Sequence, residues 1–372
     1  MTRRLLAVGL HLAVFAMLSP CAAWAQARPK TDREKRLEEV QAIKTLTVAE
    51  ARAIVQEFRG GSLPLNSLQA PSADVADALS AYDGTLSLNG VATLDDAVSS
   101  ALAKTKGPLT LEGLTALTSV PLARKLASQA IEVDLSRIAA VGAEIADALS
   151  AARGRLVMSG LRSLDSPALA KKLAAGEDVA LRSLTKLTPE VARALVSEKN
   201  YLYLNGITQL NKDVAAELGR HVGLLDLDLL EPCEAGVVEE LAKCKGPLDL
   251  GVTTLTRSEA QAIARHEGIV TLARLATAQP DVLAELREHK DMLYLTGLTQ
   301  IGVPEAESLA GCKGVIYLTG VTAMDQEAAV ALAKHRGSGG SCLVLNASLS
   351  VSPVAPVLSK NGRIAFGSHL FR

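Results

Sequence analysis

Leu202-Tyr203-Leu204-Asn205-Gly206-Ile207-Thr208-Gln209-Leu210-Asn211, followed by Lys212 to Gly223, contains in one unit the pattern that decides the fold. Leu202 and Leu204 point one way while Tyr203 and Asn205 point the other, the period-two mark of a short strand. Gly206 is where the chain leaves that strand and turns. Ile207 and Leu210 supply two further core positions, and Asn211 is placed to cap a following helix.

The same unit recurs on both sides. Its second strand leucine reappears at Leu65, Leu88, Leu111, Leu135, Met158, Leu181, Leu227, Leu250, Leu272, Leu295 and Leu318, in steps of 22 to 24 residues. A step of that length marks a stacked solenoid, in which each unit buries its apolar face against its neighbours. Asp95, Thr118, Asp165, Thr188, Asn211 and Asp325 are the expected helix N-caps, with Pro189 at a first helical position and Thr256-Arg257-Ser258-Glu259 as a capping box. Each helix buries a stripe such as Ala192, Leu195 and Val196, and Gly107, Gly154, Gly223, Gly246, Gly268 and Gly314 are expected to stop it. The expected fold is therefore α/β: a solenoid with a parallel β-sheet on the concave side and one short helix per repeat on the convex side. Rungs about 4.8 Å apart give the twelve marked units a length of roughly 55–60 Å. A parallel β-helix has coils of similar length, but the N-caps, the helix-spaced stripe and the glycines favour a true helix in each unit.

Leu109-Thr110-Leu111-Glu112-Gly113-Leu114-Thr115-Ala116-Leu117 and Leu293-Tyr294-Leu295-Thr296-Gly297-Leu298-Thr299-Gln300-Ile301 resemble the leucine-rich repeat family, in its short bacterial variant with an Ala-rich helix. The resemblance covers roughly residues 63 to 345 and implies a protein-interaction scaffold. One departure stands out. The family's asparagine, three residues past the second strand leucine, is here Leu114, Ile207, Leu298 or Val321. No buried asparagine ladder is expected, and Thr115, Thr185, Thr208, Thr254, Thr299 and Thr322 are the candidates for a hydroxyl row in its place.

Residues 1–27 read as an export signal: Arg3 and Arg4, an apolar stretch from Leu5 to Leu18, and a small-residue cleavage site at Ala23-Trp24-Ala25 or Ala25-Gln26-Ala27. The short leading region and very apolar core suit the general export route better than the twin-arginine one. Pro20 before Cys21 departs from a lipoprotein pattern. The expected location is periplasmic or secreted, with no membrane span in the mature chain. Residues 28–62 form a charged lead-in and N-terminal helical cap, with one helical apolar pattern from Glu38 to Phe58. Residues 63–337 form the repeat solenoid. Residues 338–372 form a C-terminal capping segment, with strands near Leu343 to Leu345 and Ile364 to Phe366. Formal net charge is −1, and more negative once Arg3 and Arg4 leave, so nucleic-acid binding has no basic stripe to rest on. Spacing keeps the remaining Cys233, Cys244, Cys312 and Cys342 from most pairings, and free buried or half-buried thiols are expected.

Residues flanking the strand leucines face the open sheet. Tyr203, Asp226, Asp228, Tyr294 and Tyr317 are the candidate contacts there, in a chain whose aromatic content is 3%. Tyrosine provides rigid amphipathic contact area, although it also simply favours strands, and the aspartates, joined by Asp249, also fit a solvated face. A column of His221, Cys244, His266, His289, Cys312 and His335 has metal-ligand chemistry. Stacked rungs hold equivalent residues apart, however, and half-buried packing beside a helix end explains the column without metal. No catalytic motif is present, and no cofactor is expected. The sequence thus predicts an exported, non-enzymatic scaffold that binds a protein or glycan on its concave sheet. A self-assembling envelope component is the alternative, and a glycan-processing enzyme a third.

Overall fold

A computed structural model describes residues 31–196, 200–336 and 342–367. The expected export signal and Cys21, as well as Glu198, the Gly337 to Ser341 stretch and His369, lie outside the described residues. The chain is a leucine-rich-repeat-like solenoid. Short parallel strands alternate with helices in chain order, and within each of three sheets every strand pairs with the next unit's strand.

A three-stranded sheet opens the stack, with β1 (Ser62–Pro64), β2 (Thr85–Ser87) and β3 (Leu109–Thr110). β4 (Val133–Asp134) and β5 (Leu156–Val157) form a pair. The third sheet has nine strands: β6 (Asp178–Ala180), β7 (Tyr201–Tyr203), β8 (Leu225–Leu227), β9 (Leu248–Leu250), β10 (Val270–Thr271), β11 (Met292–Tyr294), β12 (Val315–Leu318), β13 (Cys342–Asn346) and β14 (Ile364–Gly367). Register keeps leucine on leucine, as in Leu225 against Leu248 and Leu227 against Leu250. Every marked leucine, and Met158, is buried, and one apolar core runs the length of the stack. Burying such a side chain is worth about 1.5–3 kcal/mol, an upper figure because unfolded chains are partly compact.

The break between β3 and β4 has a specific cause. In the continuous sheet the first strand leucine donates its N–H to the next rung, as Leu202 does to the Leu224 carbonyl. At β3, the Gln129 side chain takes that place. Its Oε1 accepts from the Leu109 N–H, and its Nε2 donates to the Leu109 carbonyl at 3.1 Å. Gln129 falls in the one 24-residue step of the repeat, between Leu111 and Leu135. The extra residue therefore brings a side-chain amide into the backbone ladder.

Helix starts follow the capping residues in most units. Asp95, Thr188, Asn211 and Asp325 accept from the backbone N–H three residues on, and Thr256 with Glu259 forms the full capping box. Thr118 and Asp165 do not cap. Ser119 and Ser166 do, one residue later, with Pro167 at the first helical position and Pro121 at the second. The N-terminal apolar pattern forms two helices, Asp32–Gln41 and Val48–Glu57, since Thr47 and Glu50 make a second capping box that restarts the helix. The glycines also act differently from expectation. Helices such as Lys212–Leu218 end several residues before Gly223. Gly223 is needed at the strand entrance, where a Cβ would lie 1.8 Å from the Asn200 carbonyl oxygen of the preceding rung. Among the described residues no helix is long and apolar enough to cross a membrane.

Leu114, Ile207, Leu298 and Val321 fill the position of the family's asparagine and are buried. In the proposed hydroxyl row, Thr115 donates to the Ala92 carbonyl at 2.9 Å and Thr185 to that of Arg162 at 3.3 Å. Both threonines are exposed, so these bonds staple the outside of the stack.

Candidate binding surface

The residue between the two strand leucines faces the concave side, and parallel register places these residues in one row. In the nine-stranded sheet that row reads Ala180, Tyr203, Asp226, Asp249, Thr271, Tyr294, Tyr317, Val344 and Ala365. Tyr203, Asp226, Tyr294 and Tyr317 thus share it. Asp228 lies just past β8, outside the row, and is tied to it through Asn205.

Tyr294 and Tyr317 stack with ring centroids 4.2 Å apart and planes 11° from parallel. The Tyr294 hydroxyl reaches the Met292 sulfur at 3.8 Å. Burial, then the neighbouring Tyr317, pushes the Tyr294 phenol up to about 12, so it remains neutral. At the other end the Arg182 guanidinium lies 4.4 Å from the Tyr203 ring centroid, a cation–π contact. Arg182 also donates to Asn205 Oδ1 at 2.9 Å. The Asn205 amide in turn donates to Asp226 at 2.9 Å and to Asp228 at 2.7 Å. Asp226 is 8% exposed. Burial raises its pKa first, with Asp228 adding repulsion, and the same two causes, burial and then neighbouring carboxylates, raise that of Asp249.

Beside this row runs a second one, formed by the residues preceding the first strand leucine. Tyr201, Leu224, Pro247, Ile269, Met292 and Val315 make it apolar over six successive rungs, with Tyr201 49% and Met292 40% exposed. Sequence reasoning missed this stripe because each residue looks like an ordinary strand neighbour, and only register shows the run.

The histidine and cysteine column is more deeply buried than expected, with His221, Cys244, His266, His289, Cys312 and His335 all buried. Among the described residues no group of three or more His, Cys, Asp and Glu is arranged to hold a metal, and Cys233, Cys244, Cys312 and Cys342 are free thiols. The column closes helix ends instead. His266 sets its ring nitrogens 3.0 Å from the Ala242 carbonyl and 2.8 Å from that of Gly246. His289 does the same toward Ile263 at 3.2 Å and Gly268 at 3.0 Å. The two rings stack at 6.5 Å. Ala242 follows the helix Val237–Leu241 and Ile263 lies in the last turn of Arg257–Arg265, where the His266 N–H also donates to it, so both carbonyls belong to helix ends.

No family model matches the chain, and no curated protein matches it in sequence. Among solved structures it is similar to an internalin from Listeria monocytogenes, at 14% identity and a TM-score of 0.41, covering 81% of this chain and 88% of that one. It is also similar to a structure of the Rad7 and Elc1 complex in yeast, at 12% identity and a TM-score of 0.35, covering 95% of this chain and 98% of that one.

Proposed function

We propose that this chain is an exported, non-enzymatic interaction scaffold, built from the short bacterial variant of the leucine-rich repeat, that holds a protein partner on its concave sheet. The observation that carries the reading is the registered face itself. Tyr203, Asp226, Asp249, Tyr294 and Tyr317 stand in one row over a continuous sheet, flanked by the apolar row from Tyr201 to Val315. Large, partly exposed aromatic and apolar side chains set beside charges are what a protein-binding patch requires. Acidic groups rather than a basic stripe line it, which suits a protein better than a nucleic acid. The leader composition at residues 1–27 supports a periplasmic or secreted location.

Two measurements test this. Mass spectrometry of the cell-envelope and secreted fractions should find a chain beginning near residue 26 or 28, and an intact Met1 terminus would remove the export half of the reading. Partner capture from those fractions should be compared between the wild-type protein and a Tyr294→Ala/Tyr317→Ala variant of unchanged circular dichroism. Proteins retained equally by both would place binding elsewhere than this face.

A further inference from the structure

The concave face carries a charge that its own residues leave uncompensated. Asp226, Asp228 and Asp249 take part in none of the ion pairs formed among the described residues. Arg182, the one cation among the described residues that acts on Asp226, is spent on the Tyr203 ring and on Asn205 Oδ1, and reaches the carboxylate through the Asn205 amide. Farther along the same row lies the Tyr294–Tyr317 stack, whose inner faces cover each other and whose outer edges remain open beside Met292. An occupant touching both groups must run along the stack, across the strands.

Resting on the scaffold reading above, we propose that the occupant is an extended, basic segment of a protein partner. A lysine or arginine side chain meets Asp226 and Asp249, and an apolar or aromatic side chain four residues away covers Tyr294 and Tyr317. The spacing follows from register. Asp226, Asp249, Thr271, Tyr294 and Tyr317 occupy successive rungs. The centre of the acid pair is therefore three rungs from the centre of the tyrosine pair, about 14 Å at 4.8 Å per rung. An extended chain rises about 3.4 Å per residue and repeats its facing every second residue, so positions i and i+4 span that distance on one side. The apolar row at Ile269 and Met292 then lies under the segment's flank. A glycan lacks the cation this face needs, and a nucleic acid carries the wrong charge.

The test is selection of a random twelve-residue peptide library displayed on phage against the purified protein, with affinities measured on synthetic copies of the enriched peptides. Enriched sequences should pair Lys or Arg with Leu, Ile, Met, Phe or Tyr at a separation of four. Their affinity should fall roughly tenfold on Asp226→Asn/Asp249→Asn and on Tyr294→Ala/Tyr317→Ala. Thr271→Lys, which removes the Thr271 hydrogen bond to Asp249 but keeps the acids and tyrosines and sets a like charge between them, should weaken the same peptides and covers the case that the other variants fold poorly. Enrichment of peptides without a basic residue, without the four-residue coupling, or of none at all overturns the proposal. If such non-basic peptides still lose affinity on Tyr294→Ala/Tyr317→Ala, the concave face remains the binding surface and only the partner chemistry is wrong. If they are indifferent to every variant, both readings fail.

Discussion

Replacing His221, His289 and His335 together by asparagine should remove most of the acid sensitivity of this fold between pH 7.5 and 5.5. Each of these rings is buried, and burial is the first cause holding its pKa below the ordinary histidine value. His335 has a further reason to stay neutral, because its Nδ1 accepts from the Gly311 N–H at 3.0 Å and protonation there would break that bond. For a base depressed in the folded state, the unfolded chain takes up the proton first. Stability is then complete above the unfolded pKa of about 6.5 and falls as pH drops below it, until the folded rings titrate. One histidine gives at most about 1.4 kcal/mol per pH unit, and three that stay neutral in the fold give about 4 kcal/mol between pH 7.5 and 5.5. Asp226 and Asp249 act in the opposite sense, since carboxyls with raised folded pKa values gain stability as pH falls through them. The variant retains both, so the difference between the two curves isolates the histidines. Asparagine is a fair replacement because Asn361 already occupies the column, donating to the Ala333 carbonyl at 3.0 Å, and the nearby Asn200 donates likewise to the Ala174 carbonyl at 2.9 Å. The single tryptophan, Trp24, lies in the stretch proposed as a leader, so urea unfolding is best followed by far-UV circular dichroism. Hydrogen exchange should show acid-induced opening first between residues 200 and 336, as a stack with only nearest-neighbour contacts allows. A variant whose stability falls with pH as steeply as the wild type would refute the argument.

Gln129→Ala strips both side-chain partners from the buried Leu109 backbone and should cost about 2–4 kcal/mol in urea unfolding. Gly320→Ala places a Cβ 2.0 Å from the Thr296 carbonyl oxygen, an atom of the preceding backbone that cannot step aside. A loss above about 3 kcal/mol, or failure to fold, is expected. Asn211→Ala removes the 2.9 Å cap to the Val214 N–H and should lower stability by about 1 kcal/mol, read as a shift in the unfolding midpoint at unchanged slope.

The fold was legible because its determinants are local and periodic. Two leucines per strand, a capping residue and an Ala-rich stripe recur at one spacing, so each unit repeats the same evidence. Where a unit departs by one residue, reading by alignment slips by one as well. Thr118 and Asp165 align with true caps, yet Ser119 and Ser166 start those helices one position later, with a proline in each first turn. The glycines misled in a different way. A glycine after a helix usually marks its stop, whereas here the constraint is contact with the rung behind, as at Gly223. That contact depends on stacking distance and leaves no local signal. The concave face was legible in part for the same reason. Tyr294 and Tyr317 could be paired from spacing, but the apolar row from Tyr201 to Val315 appears only when strand register aligns six dissimilar residues.

The least legible feature, the buried column beside the helix ends, shows what the missing asparagine ladder leaves to be done. With Leu114, Ile207, Leu298 and Val321 at the family's asparagine position, that corner of each rung is apolar and bonds no backbone. The opposite corner still holds carbonyls at helix ends and strand entrances with little access to water. Tyr82 donates to the Gly60 carbonyl at 2.8 Å, while Gln129, Asn200, His266, His289 and Asn361 serve their own neighbours in turn. What recurs at this column is a hydrogen-bonding capacity of suitable length, whatever residue supplies it, so a search for identical residues sees only fragments such as the histidines. The metal-like appearance of His221 to His335 follows from the same demand: imidazole is one of few side chains that reaches a helix end and carries polar atoms on both sides of a ring. On this argument His266→Gln should fold and retain protection at the Ala242 to Gly246 turn in hydrogen exchange, because an amide can still donate to one of its two carbonyls. His266→Leu, of similar bulk, leaves both carbonyls unpaired and should lose roughly 1–3 kcal/mol more than His266→Gln. Equal losses for the two variants would mean that the column is held by packing alone.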